Sequence, residues 1–346
     1  MIRRVLPVVL ALIAVLGLAA CGERKEPAAG TGAAERVNLM LDFDPNADHA
    51  GIYAAIETGE FGKARLDVKP ITPGDPSSPL KLLAAGKADL AISYEPELLL
   101  ARDKGAKLIS IGALVQKPLT SIISVGSKPI KQPAQLEGKR LGTAGIPYQD
   151  AYLKTIAKQA GIDETRVKSV NLNFNLVPPL LSHRVDAVLG AFWNVEGVQL
   201  QRQRKDPSII RLEQAGVPTY DELVIVARAQ DLRDRGERVR RFMFALAKGQ
   251  ETVRKNLSVG VDSLRKDNKD LDAGDTTAQV KATIPAFFPG GGKPFGYMNP
   301  VTWRAYGDWM LKNKLITQPA NPNRELTNEF LPGEGLAGTD TRTPNP

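Results

Sequence analysis

The sequence predicts an α/β protein built as two lobes, with a hinge and a cleft between them. Three observations support this prediction. Residues 36–334 are a segment of about 300 residues with mixed polar and apolar side chains, and this length is more than one hydrophobic core usually spans. Short apolar strands alternate with amphipathic helices from residue 37 to residue 212. A last apolar, β-branched segment at 222–226 has the pattern of a strand that returns to the first sheet.

The first group of elements predicts a largely parallel sheet with helices on both faces. Its strands are predicted at 37–41, 66–71, 88–93, 108–114 and 121–125, and its helices at 48–58, 80–85 and 95–104. Gly59 and Gly86 follow two of these helices, where glycine commonly ends a helix. The order strand, helix, strand favours parallel pairing because the helix spans the crossover.

The second group repeats this order. Strands are predicted at 138–143, 167–172, 185–189 and 208–212, with helices at 149–160, 178–182 and 193–200. Residues 233–314 read as helices and loops that cover the first lobe. The predicted lobes are therefore 36–122 together with 222–334, and 123–221. A chain that crosses twice between two lobes forms a hinge, and such lobes can close on a ligand.

The N-terminus predicts export and a lipid anchor. Arg3 and Arg4 precede an apolar run at 5–16, which is too short to span a membrane and has the flanks of a secretory signal. The small residues before Cys21 resemble the lipobox of bacterial lipoproteins, in which this cysteine is lipidated. Ordinary cleavage beside an incidental cysteine is the alternative. Residues 1–21 are thus the expected signal and anchor, 22–35 a flexible tether, and 335–346 a loose tail.

Charge and motif content narrow the function classes. The formal net charge is +8, but the Lys and Arg residues are scattered, which is typical of a solvated surface rather than of nucleic-acid binding. The sequence has no Gly-x-Ser-x-Gly, His-Glu-x-x-His or Walker glycine loop, and we expect no catalysis, cofactor or metal. We expect a monomer on the outer face of the cell membrane.

One long motif resembles a known family. Residues 41–53, LDFDPNADHAGIY, are similar to the opening motif of solute-binding proteins for thiamine-pyrimidine precursors. Residues 59–61 (GEF), 85–91 (AGKADLA) and 93–95 (SYE) extend the resemblance, which runs from about residue 37 to 228. It implies the type II periplasmic-binding fold of ABC importers. It also implies a ligand held between the lobes and delivered to a permease and an ATPase.

The resemblance suggests residues for the first-lobe side of a pocket. Phe43 stands where the family usually has Trp, and it offers a smaller stacking face without an N–H donor. Tyr94, directly after a predicted strand, resembles the family's stacking tyrosine. Asn46 and His49 follow the first strand, where strand ends open into a cleft. Core packing of the two rings, and a structural hydrogen bond for His49, are the alternatives.

The second lobe supplies a turn and a carboxylate. Thr143 and Gly145 lie between a predicted strand and a helix, where backbone N–H groups could hold a polar ligand atom. Family members carry a glutamate that pairs with the aminopyrimidine edge, and the resemblance assigns this role to Glu196, with Trp193 and Asn194 as neighbours. A carboxylate that accepts from an exocyclic amine makes a charge-assisted hydrogen bond. A solvated helix residue is the alternative for Glu196.

The predicted function is capture of a small heteroaromatic vitamin precursor, of the thiamine aminopyrimidine type, for an ABC importer. Riboflavin or another aromatic vitamin, and an alkanesulfonate or nitrate-type anion, are alternative ligands. A pyrimidine-synthesising enzyme and a structural lipoprotein are the other classes considered. The enzymes of this kind depend on a cysteine-rich iron-binding segment and a pyridoxal-phosphate lysine, whereas Cys21 is the only cysteine in this sequence.

Overall fold

The computed structural model describes residues 32–288 and 292–333. The predicted signal and anchor at 1–21, with Cys21, and the predicted tail at 335–346 lie outside the described residues. Of the predicted tether at 22–35, only residues 32–35 are described. Within the described part, ten strands form two five-stranded sheets. The strands are β1 Glu35–Met40, β2 Leu66–Ile71, β3 Leu90–Ser93, β4 Leu108–Val115, β5 Thr120–Ser124, β6 Arg140–Thr143, β7 Lys168–Asn171, β8 Ala187–Phe192, β9 Ser208–Arg211 and β10 Leu223–Arg228.

Helices surround both sheets. They are α1 Ala50–Glu57, α2 Glu60–Lys63, α3 Pro79–Ala84, α4 Glu95–Asp103, α5 Pro147–Ala160, α6 Val177–Leu181, α7 Glu196–Arg202, α8 Ala229–Lys255, α9 Leu257–Asp267, α10 Ala273–Phe287, α11 Pro300–Lys312 and α12 Pro322–Glu325. A 3-10 turn at Ala47–His49 precedes α1. The predicted helix at 193–200 was placed too early: helix α7 begins at Glu196, and residues 193–195 form the turn before it.

Each sheet is mixed: four of its five strands run in the same direction, in agreement with the prediction of a largely parallel sheet, and one strand runs against them. The first sheet has the order β2-β1-β3-β10-β4, and the second has the order β7-β6-β8-β5-β9. Strand β1 pairs in parallel with β2 and β3, but β10 pairs antiparallel with β3 and β4. Strand β5 likewise pairs antiparallel with β8 and β9. In each sheet the strand that follows a lobe crossing runs against its neighbours.

The chain crosses between the sheets after β4 and again before β10. Strand β5 belongs to the second sheet, and the predicted lobe boundary at 122/123 falls inside it. Glu222 joins the two crossings, because its carboxylate accepts the backbone N–H groups of Leu119 and Thr120 at 2.6 and 2.8 Å. The hydroxyl of Thr120 donates to it at 2.8 Å and that of Tyr220 at 3.0 Å. Burial raises the pKa of Glu222 to about 7. This buried carboxylate is the structural centre of the hinge.

The C-terminal helices cover the first sheet as expected from the sequence. Helix α8 packs on α1 so closely that a Cβ on Gly249 would lie 2.2 Å from the carbonyl oxygen of Gly51. Arg238 on the same helix is bound to Asp89 at 3.1 Å, and Arg241 is bound to Glu35 at 2.7 Å, so these two basic residues tie the helix to the first lobe. Among the described residues, no helix is long and apolar enough to cross a membrane.

Candidate ligand-binding site

A small cavity lies between the two lobes, at the carboxyl ends of β1, β3 and β8. The first lobe contributes three residues and the second lobe the larger part of the wall. The lining residues are Phe43, Asn46, Tyr94, Ala144, Ile146, Tyr148, Leu176, Gly190, Phe192, Val195 and Glu196. Four of the nine residues predicted for the site, namely Phe43, Asn46, Tyr94 and Glu196, are therefore brought to one cavity.

The first-lobe wall is organised around Asp42, which sequence reasoning did not single out. This residue is 1% exposed and lies two residues after the end of β1. One carboxylate oxygen accepts the hydroxyl of Tyr94 at 2.8 Å, and the other lies 2.9 Å from Nε2 of His49. Burial, and next to it the Asp42 charge, hold the pKa of Tyr94 well above its usual range, so its hydroxyl stays a donor. Asp42 thus fixes the orientation of the Tyr94 ring that faces the cavity.

His49 is a structural residue and does not reach the cavity, contrary to the suggestion that it contacts the ligand. It is fully buried. Its Nδ1 accepts the backbone N–H of Asn46 at 3.1 Å, which assigns the ring proton to Nε2 and makes Nε2 the donor to Asp42. Both ring nitrogens are therefore used inside the first lobe. With only two histidines in the chain, the sequence could not show which of these roles His49 takes.

Asn46 caps the turn and also faces the cavity. Its Oδ1 accepts the backbone N–H of Asp48 at 2.9 Å, and its Nδ2 donates to the carbonyl of Asp44 at 3.1 Å. Since a side-chain amide has two N–H donors, one of them is left for a ligand. The loop 42–49 is therefore held in shape by its own side chains.

Glu196 is the one carboxylate among the residues that line the cavity. It is the first residue of α7, and its Oε2 accepts the backbone N–H of Phe192 at 2.7 Å. Burial raises the pKa of Glu196 to about 7, and this hydrogen bond offsets part of the increase. The side chain can therefore present a hydrogen-bond acceptor, or at lower pH an acid, to the cavity.

Tyr148 and Gly190 are two lining residues that the sequence reasoning missed. Tyr148 is 1% exposed, packs against Tyr94 with 5.2 Å between ring centroids, and has a hydroxyl without a hydrogen-bond partner among the described residues. It follows the end of β6 through a Gly-Ile-Pro turn, and the strand-end rule that selected Tyr94 would have found it as well. Gly190 has a φ of +110°, and a Cβ there would lie 2.2 Å from the Gln149 amide nitrogen. Only glycine fits this part of the wall.

The turn at 143–145 contributes different residues to the cavity from those that the sequence predicts. Thr143 and Gly145 do not line the cavity, whereas Ala144 and Ile146 do. The Gly145 N–H donates to Oγ1 of Thr143 at 3.3 Å, and the Ala144 N–H donates to Oε1 of Gln149 at 2.9 Å. Both N–H groups are satisfied within the turn, which leaves them no role in holding a ligand in this conformation.

Trp193 and Asn194 also lie outside the cavity. The Trp193 indole donates to the carbonyl of Pro118 at 3.1 Å, and its ring lies 4.2 Å from the guanidinium carbon of Arg211. Asn194 is fully buried and donates across the lobes to Asp48. Because both precede α7 in a turn rather than on the helix, their side chains do not share the direction of Glu196.

Phe43 closes one side of the cavity. Its ring meets that of Phe174 from the second lobe edge to face, with 4.7 Å between centroids and 82° between planes. The two lobes are thus in contact at this edge.

The charge of the cavity restricts what can bind. Its lining includes no Lys, Arg or His side chain among the described residues, and Glu196 is acidic. Three aromatic rings, Phe43, Tyr94 and Tyr148, provide flat apolar surface, and the few polar groups can read a ligand edge. Two mixed α/β lobes that enclose such a cavity next to a hinge define a ligand-binding protein of the periplasmic-binding fold.

Comparisons with known proteins agree with this class. The alkanesulfonate-binding protein SsuA from Xanthomonas axonopodis pv. citri superposes with a TM-score of 0.66 at 15% identity, over 86% of this chain and 99% of its own. A formylaminopyrimidine-binding protein from Halalkalibacterium halodurans is 32% identical over 313 residues, or 89% of this chain and 94% of its own. A 4-amino-5-hydroxymethyl-2-methylpyrimidine phosphate synthase from Legionella pneumophila is 27% identical over 52% of this chain and 56% of its own.

Residues 46–256 match the family described as NMT1/THI5 like. This match covers more than half of the chain, and the chain belongs to that family.

Proposed function

We propose that this protein is the extracytoplasmic binding component of an ABC importer, and that it captures a small aminopyrimidine of the thiamine-precursor type. The observation that carries the proposal is the Glu196 carboxylate, which lines the inter-lobe cavity together with Tyr94 and Tyr148. An exocyclic amine that donates to Glu196 would make a charge-assisted hydrogen bond, while the ring lies against the aromatic walls. The similarity to the formylaminopyrimidine-binding protein supports the same ligand class.

The charge of the cavity argues against an anionic ligand, and the similarity to the formylaminopyrimidine-binding protein favours a single substituted ring over a three-ring flavin. A sulfonate or nitrate would meet a carboxylate without a cation among the lining residues, and burial makes such a like-charge contact costly. The likeness to an alkanesulfonate-binding protein therefore extends to the fold rather than to the ligand.

A synthase is the second candidate function, since relatives at 27% identity or less carry that name. The residues that line the cavity favour a binding protein over a synthase, because they include no lysine for a pyridoxal phosphate and no cysteine or histidine. We further propose that Cys21 carries a lipid and holds the protein on the outer face of the membrane, where it presents its ligand to a permease. We propose that it acts as a monomer.

Isothermal titration calorimetry with a ligand panel tests the proposal. The panel contains formylaminopyrimidine, hydroxymethyl-aminopyrimidine, riboflavin and an alkanesulfonate. We expect only the aminopyrimidines to bind, and Glu196→Gln to weaken them by about 10- to 100-fold, because a hydrogen bond to a charged group is worth about 1.5–3 kcal/mol. Glu213→Gln, at an exposed position, is the matched control. Binding of riboflavin or the sulfonate instead, or full affinity in Glu196→Gln, would refute the ligand assignment.

A further inference from the structure

Asn194 makes a buried polar contact between the lobes, separate from the residues that line the cavity. Its Nδ2 donates to Oδ1 of Asp48 and to Oγ1 of Thr283, both at 2.7 Å. Asn194 belongs to the second lobe, whereas Asp48 and Thr283 belong to the first. All three are fully buried. These hydrogen bonds exist only while the lobes are closed, because they join residues on opposite sides of the cleft.

Two polar atoms of this contact have no hydrogen-bond partner within the described part of the chain. They are Oδ2 of Asp48 and Oδ1 of Asn194. Both N–H donors of Asn194 are accounted for by Asp48 and Thr283, and Thr283 in turn donates to the carbonyl of Gln279 at 2.8 Å. The two remaining atoms are both acceptors when Asp48 is ionised, so neither can satisfy the other. A carboxylic acid and an amide, in contrast, form a ring of two hydrogen bonds, in which an acid O–H donates to the amide oxygen.

The surroundings of Asp48 favour the neutral acid. Burial raises the pKa of Asp48 well above its usual range; the hydrogen bond from Asn194 offsets part of this increase, and the neighbouring carboxyl groups of Asp42, Glu196 and Glu222 add to it. His49, the adjacent base, is already bound to Asp42.

The helices packed around residues 47–54 present mainly apolar groups there. Val261 and Leu264 come from α9 and Val280 from α10, and the polar group that α10 adds is the Thr283 hydroxyl. Among the described contacts, α9 and α10 place no cation against Asp48 that would hold it in its ionised form.

We propose that Asp48 and Asn194 form an acid–amide lock between the lobes, and that closure of the cleft takes up a proton on Asp48. In the open state Asp48 is exposed to water and ionised near neutral pH. In the closed state its second oxygen carries the proton and donates to Oδ1 of Asn194. The two residues are positioning residues for closure, and neither needs to touch the ligand. Each lies one or two residues from a lining residue, so closure and the shape of the cavity are linked.

The lock offers a decisive isosteric variant. Asp48→Asn has the shape of the neutral acid and can donate an N–H to Asn194 without taking up a proton. We expect it to close at every pH, whereas Asn194→Leu cannot make either hydrogen bond and should favour the open state. Thr283→Val removes a single acceptor and serves as the milder second variant if Asn194→Leu does not fold.

Closure can be measured without any ligand, which separates this test from the ligand assignment. Donor and acceptor dyes are placed at Lys87→Cys in the first lobe and Lys158→Cys in the second, both exposed, in a chain that carries Cys21→Ser. Energy transfer is recorded from pH 6 to pH 8.5. For the unaltered lock we expect the closed-to-open ratio to fall by up to about tenfold per pH unit, since one proton is linked to closure. Glu213→Gln, an exposed carboxyl outside the cleft, is the control and should leave this dependence in place.

The outcomes are distinct. A closed fraction that is independent of pH in Asp48→Asn, with a lower closed fraction in Asn194→Leu or Thr283→Val, supports the lock. The same pH dependence in Asp48→Asn as in the unaltered lock overturns it, as does an unchanged closed fraction in both lock-breaking variants. The proposal is also overturned if the closed fraction of the protein with the unaltered lock does not change with pH.

Carbon-13 spectra of a chain labelled at the aspartate carboxyl carbons give a direct readout. The Asp48 signal is the one lost in Asp48→Asn, and in the closed protein at pH 7 we expect the chemical shift of a carboxylic acid. A carboxylate shift would refute the proton.

Discussion

The two loops that meet at the cavity are built in different ways. The first-lobe loop, residues 42–49, satisfies most of its polar groups within its own lobe, with the Asp48 carboxylate as the exception: Asn46 caps the turn, and Asp42 binds His49 and Tyr94. The second-lobe loop, residues 192–196, depends on the opposite lobe for part of its bonding, because Asn194 finds both of its acceptors there.

This difference separates a preformed half of the site from a half that is completed on closure. The first lobe can present Tyr94 at a fixed angle before a ligand arrives, which lowers the entropy that binding must offset. The second lobe brings Glu196 and Tyr148 over the ligand. We therefore expect changes in the first loop to act mainly on stability, and changes in the second loop to act mainly on ligand affinity and release.

The largest effect is expected from Asp42→Ala in the preformed loop. It leaves the hydroxyl of Tyr94 and Nε2 of His49 buried without an acceptor, and two such groups cost about 2–6 kcal/mol. Urea unfolding of the ligand-free protein measures the loss. Asp67→Ala, on a surface ion pair, is the control and should cost less than about 1 kcal/mol. Equal stability of the two variants would contradict a preformed first half.

The next effect concerns the pH dependence of Glu196. Its pKa of about 7 is raised above the usual value, so its ionisation costs stability, and the free energy of unfolding should fall as pH rises from about 4.5 through 7. A ligand amine that needs the carboxylate should conversely bind more tightly above pH 7. We expect the ratio of unaltered to Glu196→Gln affinities to rise about tenfold between pH 6 and pH 8, because the ionised fraction rises from about a tenth to about nine tenths.

Calorimetry at these two pH values tests the prediction, and the use of a ratio removes the contribution of other titrating groups such as Asp48. A ratio that does not change with pH would mean that the carboxylate is not the group that recognises the ligand.

A smaller effect is expected at the contact between Phe43 and Phe174. An edge-to-face pair contributes about 0.5–1.5 kcal/mol beyond its buried area, and this one joins the lobes. Phe174→Leu keeps an apolar side chain but loses the ring pair, and we expect ligand to dissociate about 2- to 10-fold faster with little change in the rate of association. Stopped-flow fluorescence measures both rates, and Phe288→Leu, outside the cavity, is the control. A change confined to the association rate would argue against a role in closure.

The smallest effect is expected at Trp193. Its ring lies against Arg211 and its N–H is bound to Pro118, so Trp193→Phe should alter ligand affinity by less than about twofold. A loss comparable to that of Glu196→Gln would mean that the second loop rearranges on binding and brings the indole into the cavity.

Much of the fold follows from local patterns. The strand at 66–71 was predicted to the residue, and most other elements within a few residues, because apolar alternation and glycine stops are local signals. The direction of β5 and β10 was not predictable in this way. Pairing direction depends on where the chain re-enters a sheet, and an apolar strand has the same pattern in either direction.

The candidate site shows the same division between what local patterns predict and what distant neighbours decide. Phe43, Tyr94 and Glu196 were selected because they follow strand ends in a motif that resembles a family, and they meet at the cavity. His49 and Asn194 were selected by the same rule and lie outside it. Whether a polar side chain points to a ligand or to another buried group depends on neighbours that are distant in the chain, such as Asp42 for Tyr94 and Thr283 for Asn194.

The sequence by itself determined the two-lobed α/β class, the order of the elements and the motif that marks the family, because each is recorded in residues that are close together along the chain. Only the tertiary structure decided which strand ends share one cavity, that Asp42 holds Tyr94, and that Asp48 meets Asn194 across the cleft. These contacts join residues 52 and 146 positions apart, and the closing of two lobes, rather than any local pattern, brings the second pair together.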